Sequence, residues 1–236
     1  MFPIKKSNTE LPLAKRVVYE DNHLVVVNKL PGELVQGDYT GDRPLLEKVR
    51  DYIGEKYQKP GQVFCGLVHR LDRPTSGLVL FARTSKALAR CNRMFQDRAV
   101  SKTYYALVAL APHPPQGTLR HHLRKEAKQN KSYPSPENKA GAKLAVLHYR
   151  LLGQGQRYYL LEIELETGRH HQIRAQLAAA GMPIKGDLKY GFPRSNPDAS
   201  ISLHAGRLAL VHPVSKEALE LRAAPLSIDR AWEGLL

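Results

Sequence analysis

Residues 67–82 read Leu-Val-His-Arg-Leu-Asp-Arg-Pro-Thr-Ser-Gly-Leu-Val-Leu-Phe-Ala. Apolar residues flank a charged centre, a pattern of strand, turn and strand that presents reactive groups on a rigid support. Asp72 lies between Arg70 and Arg73, and Pro74 and Gly77 are expected to pin the turn. Taken alone, Asp72 reads equally as a reactive carboxylate or as a residue that caps its own turn.

Upstream, Val17–Tyr19 and Leu24–Val27 read as short strands around an Asp21-Asn22 turn. Leu45, Leu46, Val49, Tyr52, Ile53 and Tyr57 follow Pro44 with the period of an amphipathic helix, stopped by Pro60-Gly61. Downstream, Thr84 or Ser85 caps a second helix, in which Leu88, Cys91 and Phe95 form an apolar stripe beside Lys86, Arg90 and Arg93. A strand over 102–110 follows. Residues 112–138, rich in Pro, His and Lys, read as a basic hairpin or a mobile loop. Strands at 145–152 and 158–166, a helix over about 170–180 and a strand at 203–211 complete the pattern. This mixture predicts an α+β fold: a mixed, largely antiparallel sheet with flanking helices. It is expected to be one domain over 16–236, with a basic insertion at about 112–140 and a polar N-terminal extension over 1–15.

The 236 residues carry 36 Lys and Arg against 22 Asp and Glu, a formal charge of +14, which favours a polyanionic partner. Between Arg83 and Lys131 eleven basic residues face only two acids, so the excess is local. No apolar run is long enough to span a membrane, and residues 1–10 do not resemble a secretory signal. Cys65 and Cys91 have neither the CxxC nor the finger spacing. A reducing cytoplasm is the expected setting, with no metal.

The P-loop, HExxH and GxSxG patterns are absent, which argues against nucleotide hydrolysis and zinc proteolysis. A second polar cluster, Thr167-Gly168-Arg169-His170-His171-Gln172-Ile173-Arg174, lies where a strand ends and a helix opens. Its side chains would project from the first helical turn, a place that suits an anionic group. Arg174 reads equally well as a surface helix arginine.

The run 69–82 closely resembles the catalytic signature of the RluA family of pseudouridine synthases, in which HRLD is followed two residues later by TSG. Other pieces occur in the family's order. Asn28-Lys29-Leu30-Pro31-Gly32 resembles its upstream lysine and glycine motif, Lys102-Thr103-Tyr104 its K-x-Y motif, and Thr167-Gly168-Arg169 through Arg174 its TGRxHQIR motif. Gly186-Asp187, Tyr190-Gly191, Leu203-His204-Ala205 and His212-Pro213 resemble the closing motifs. The resemblance covers about residues 17–224. Where the family usually continues HQIR-x-H, this chain has Gln176, a departure that concerns a supporting hydrogen bond rather than the chemistry. No S4-type RNA-binding domain fits before the first strand, so RNA selection is expected from the catalytic domain itself.

The resemblance implies the pseudouridine synthase fold, with its active-site cleft across the sheet. The implied activity is conversion of a uridine in structured rRNA or tRNA to pseudouridine, breaking the ribose bond to N1 and remaking it to C5 with no cofactor or metal. It implies that Asp72 is the essential carboxylate, as nucleophile at C1′ or base on C2′, that Arg174 supplies the cation offsetting its desolvation, and that Tyr104 stacks on uracil and takes the C5 proton. Arg70 is implied to fill the space left by the flipped uridine, with His69, Thr75, Arg169, Gln172, Ile173 and Leu203 around the nucleotide. Lys86, Arg90, Arg93, Lys102, Arg120, Arg124 and Lys125 are expected to hold phosphates. A monomer without an obligate protein partner is expected. A non-catalytic RNA-binding or ribosome-associated protein would share the charge without needing Asp72, Tyr104 and Arg174 together. An N-glycosylase would share the carboxylate but release free base.

Overall fold

A computed structural model describes residues 11–226 and 230–235. Most of the expected N-terminal extension, residues 1–10, lies outside the described residues. A 3-10 turn, Leu13–Arg16, leads into β1 (Val17–Glu20) and β2 (Leu24–Lys29). Their turn is fixed by Asp21, whose carboxylate accepts the amides of His23 and Leu24 at 2.7 Å. Helix α1 (Leu45–Lys56), the short strand β3 (Gly66–Leu67) and β4 (Ser76–Ala82) follow. Thr84 caps α2 (Ser85–Gln96) by accepting the Ala87 amide at 3.1 Å.

Strand β5 (Ser101–Val108) precedes the basic segment, whose two readings resolve in favour of the hairpin: β6 (Gln116–Glu126) pairs with β7 (Lys131–Ser135). This arm is continuous with the main sheet, because β6 also pairs along its length with β8 (Lys143–Gln154). Then come β9 (Tyr159–Leu165), α3 (Gln172–Ala179), β10 (Leu203–Val211) and β11 (Ala218–Arg222).

The strands form one sheet in the order β1-β2-β4-β10-β5-β9-β8-β6-β7, with β11 on β10 and β3 on β4. β4 and β10 run parallel, and the other pairings among the described residues are antiparallel. This is the α+β, largely antiparallel architecture expected. Residues of β2 and β4 alternate between two cores, as the two-residue period of a strand requires. Val25, Val27, Val79 and Phe81 meet α1 on one face, while Leu24, Val26, Leu78 and Leu80 meet Ala87 and Cys91 of α2 on the other. Both faces of these strands are covered, so they read as unbroken apolar runs.

Two local expectations are corrected. Gly77 lies inside β4 rather than in the turn, where β10 passes so close that a Cβ would collide with the Ala205 carbonyl oxygen. Arg83, counted in the basic tract, is buried, paired with Glu20 at 3.3 Å and set over the Tyr57 ring.

Candidate active site

The loop 68–75 carries Asp72 between β3 and β4, and three contacts hold it. The Thr75 amide closes the turn onto the Asp72 carbonyl at 3.0 Å. The Arg73 carbonyl accepts both the Gly32 amide at 2.8 Å and the buried Lys29 ammonium at 3.0 Å. Lys29 also donates to the carbonyls of Leu30 and Glu33, so one cation gathers the 29–33 segment against the Asp72 loop. Lys29 thus acts on the loop by positioning backbone.

Asp72 opens into a cleft of about 1690 Å3, lined also by Tyr104, Arg70, Arg169, His171 and Arg174. That volume exceeds the roughly 300–1,000 Å3 of small-molecule sites. The Asp72 side chain remains 29% exposed, whereas Arg174 beneath it is 5% exposed. Arg174 donates through Nη1 to Asp72 Oδ2 at 3.2 Å and through Nε and Nη2 to Asp187 at 2.7 and 2.8 Å. Despite its desolvation, the two carboxylates keep Arg174 firmly protonated. Tyr104 projects from β5 into the same cleft, where burial and the Asp72 charge hold its phenol proton far above the ordinary range. A phenol so placed is a poor standing base and a good stacking surface.

The remaining site residues divide. Arg70 is exposed on the cleft wall. Thr75 borders the same space, its hydroxyl buried and without a hydrogen-bond partner. Ile173 and Leu203 supply apolar lining. His69 accepts the Leu80 amide at 3.1 Å and stacks on Phe95, and burial draws its pKa down to about 3, so it is a neutral strut. Gln172 is consumed by the backbone: its amide bonds Thr167, the Arg169 amide and the Val146 carbonyl. Arg169 is tied through Nε to the Leu144 carbonyl at 2.8 Å.

Helix α3 starts at Gln172, two residues later than expected, and its polar cluster meets the protein's own carboxylates, Asp72 and Asp187, rather than presenting a row of open donors. Gln176, fully buried, donates to the carbonyls of Leu119 and Ala145 at 2.9 and 3.1 Å, so it joins α3 to β6 and β8. Of the phosphate-binding candidates, Lys102 and Lys125 line the cleft. Lys102 is largely desolvated, its pKa lowered accordingly, and lies over the Phe95 ring. Lys86, Arg90, Arg93, Arg120 and Arg124 lie elsewhere, Arg90 donating to the Pro213 carbonyl. Arg98 and Lys189 are cleft cations that sequence patterning did not single out. Asp187, His171 and Tyr190 were also missed as partners of the site, because their contacts cross long stretches of chain.

Among the described residues no helix is long and apolar enough to cross a membrane, and no cluster of His, Cys, Asp and Glu is arranged to hold a metal ion.

Residues 23–179 match the family described as RNA pseudouridylate synthase. The tRNA pseudouridine synthase C of Vibrio cholerae serotype O1 is 32% identical over 248 residues, covering 93% of both chains. The ribosomal large subunit pseudouridine synthase D of Neisseria meningitidis serogroup B is 34% identical over 233 residues, which cover 90% of this chain and 58% of that protein. Among solved structures, human RNA pseudouridylate synthase domain containing 4 superposes with a TM-score of 0.78 at 24% identity, over 90% of this chain and 89% of that one.

Proposed function

The chain belongs to the RluA family of RNA pseudouridine synthases and is an enzyme of that class, and from this premise we propose that Asp72 is the carboxylate that reacts with the target nucleotide. The observation that carries the reading is the pairing of a partly exposed Asp72 with the buried, doubly anchored Arg174. The guanidinium lies 3.2 Å from the carboxylate oxygen, the geometry of a charge-assisted contact, and a carboxylate anion is what attack at C1′ or proton removal from C2′ requires.

The substrate uridine must leave its stack to reach Asp72, at a cost of a few kcal/mol. In this reading Arg70, which is exposed at the cleft wall, fills the vacated position. Tyr104 stacks on the uracil ring while the N1–C1′ bond breaks, the base turns and C5 bonds to C1′. The C5 proton then leaves, and N1 gains one. Burial and, secondarily, the Asp72 charge keep the Tyr104 phenol protonated beforehand, so Tyr104 takes the C5 proton in a relay in which its own O–H proton passes, directly or through solvent, to N1.

The RNA is structured tRNA or rRNA, the two classes that appear in the relatives' names. The enzyme acts in the cytoplasm as a monomer, without a metal or organic cofactor. Mapping pseudouridine in total RNA from a strain lacking the gene identifies the position, and purified enzyme should restore it there. Asp72→Asn should abolish product while RNA affinity stays within a few-fold, because charge is removed and shape is not. Turnover by Asp72→Asn free of wild-type enzyme would overturn the assignment.

A further inference from the structure

The β6–β7 arm reaches the cleft floor through one buried side chain. The Tyr190 hydroxyl accepts the Ser132 amide at 2.8 Å, and its one proton has two acceptors in reach, the Ser132 carbonyl at 3.1 Å and Nδ1 of His171 at 3.0 Å. The other nitrogen of that ring, Nε2, lies 3.5 Å from Oδ2 of Asp72. Ser132 also bonds His170 through its hydroxyl at 2.9 Å, and the two histidine rings stack with centroids 3.8 Å apart.

His171 holds a left-handed backbone conformation, φ 53°, which a residue bearing a Cβ adopts only under constraint. It occupies the N-cap of α3 yet makes no capping bond. The unusual backbone instead accompanies a ring aimed at Asp72.

Electrostatics selects between the two neutral tautomers of the ring. Burial, reinforced by the Arg174 guanidinium, pushes the His171 pKa down to about 2, so the ring carries a single N–H. If that proton sat on Nδ1, Nε2 would direct a lone pair at the Asp72 carboxylate. With the proton on Nε2, the carboxylate meets a donor, and Nδ1 accepts the Tyr190 hydroxyl, which itself accepts the Ser132 amide. Each donor then has an acceptor.

We propose that His171 and Tyr190 are positioning residues for Asp72, linking the Ser132 amide through the Tyr190 hydroxyl and the His171 Nε2–H to Oδ2. This rests on the reading of Asp72 as the reacting carboxylate. Arg174 hydrogen-bonds the same oxygen at 3.2 Å while His171 Nε2 stands 3.5 Å from it, a longer and weaker approach, so both groups bear on Oδ2. Oδ1, which has no protein partner among the described hydrogen bonds and ion pairs, is thereby selected as the oxygen that meets the ribose. A carboxylate held by one donor can still turn about its Cβ–Cγ bond, whereas two fix its bearing. The arrangement also makes the bearing of Asp72 depend on how the β6–β7 arm is seated.

The first test uses the unmodified enzyme. Nitrogen-15 spectra of the histidine side chains, with His171 assigned by its loss in His171→Gln, should show a neutral ring protonated at Nε2 near pH 7; a ring protonated at Nδ1 overturns the inference. The second follows tritium release from C5 in single turnovers at saturating enzyme, with [5-3H]uridine-labelled total RNA from a strain lacking the gene. His171→Leu should slow release by about tenfold or more with RNA affinity within about threefold, as expected when an interaction orienting the reacting group is lost. His171→Gln, whose amide nitrogen falls near the Nε2 position, should recover most of that rate. Because Tyr190 acts through His171, adding Tyr190→Phe to His171→Leu should slow the reaction no further. A Gln variant as slow as Leu, or a full extra loss from Tyr190→Phe in the Leu background, overturns the linkage. Turnover by Asp72→Asn would instead remove the underlying reading, so the two failures are distinguishable.

Discussion

Asp187 holds Arg174 by two hydrogen bonds of 2.7 and 2.8 Å, shorter than the 3.2 Å by which Arg174 reaches Asp72. Asp187 is 1% exposed, so the guanidinium is fixed from behind before any substrate arrives. Breaking one side of such a buried pair typically costs about 3–5 kcal/mol. Asp187→Asn should therefore lower the unfolding midpoint in urea and slow turnover, with both losses larger than for an exposed pair such as Arg222–Glu220. Equal midpoints for Asp187→Asn and wild type would show that packing alone places Arg174.

Tyr104→Phe keeps the ring and removes the phenol. Glycosidic cleavage and rotation should proceed and the C5 proton should stay, so tritium release from labelled RNA stops although the enzyme still engages its substrate. Release at the wild-type rate would assign proton removal to another group.

The strands sort the arm's cations by face. Lys125 lines the cleft, whereas Arg120 and Arg124 do not. If phosphates follow the cleft, Lys125→Gln should reduce the log–log salt slope of RNA binding by about 0.7–0.9, the loss expected for one phosphate contact. Arg120→Gln with Arg124→Gln should change the slope by less. The opposite ranking, measured across a salt series, would move the RNA track to the outer face of the arm.

Gly77→Ala should be severely destabilising. Its φ of +119° suits only glycine, and the added Cβ would overlap the backbone nitrogen and carbonyl oxygen of Ala205. Neither strand can retreat, since β4 is also paired with β2 along its length. A soluble, native-like Gly77→Ala variant with an unchanged melting temperature would refute this.

Local chemistry was legible in the chain, and remote partnership was not. Thr84 announces its helix, the apolar runs of β2 and β4 announce covered strands, and the ordered motifs around Asp72, Tyr104 and Arg174 announce the cleft. Gln172 and His69 line the cleft, yet their side chains also make hydrogen bonds within the protein, a use that looks the same in sequence as one offered to a ligand. Asp187 lies 115 residues from Asp72, and nothing in either segment says that one arginine joins them. Gln176 illustrates the same limit, since the carbonyls it satisfies belong to β6 and β8.

Strand β10 (Leu203–Val211), near the end of the chain, lies between β4 and β5, which come from its first half. Asp72 belongs to the block on one side of that strand, and Tyr104 and Arg174 to the other. The blocks are joined across the middle of the sheet only after β10 inserts, a pairing that spans about a hundred residues and forms slowly for that reason. During synthesis at about 5–20 residues per second, a nascent chain should stay chemically silent until this strand has left the ribosome. A premature stop upstream of residue 203 should therefore yield a fragment with a basic surface and no centre, able to cling to RNA and unable to modify it.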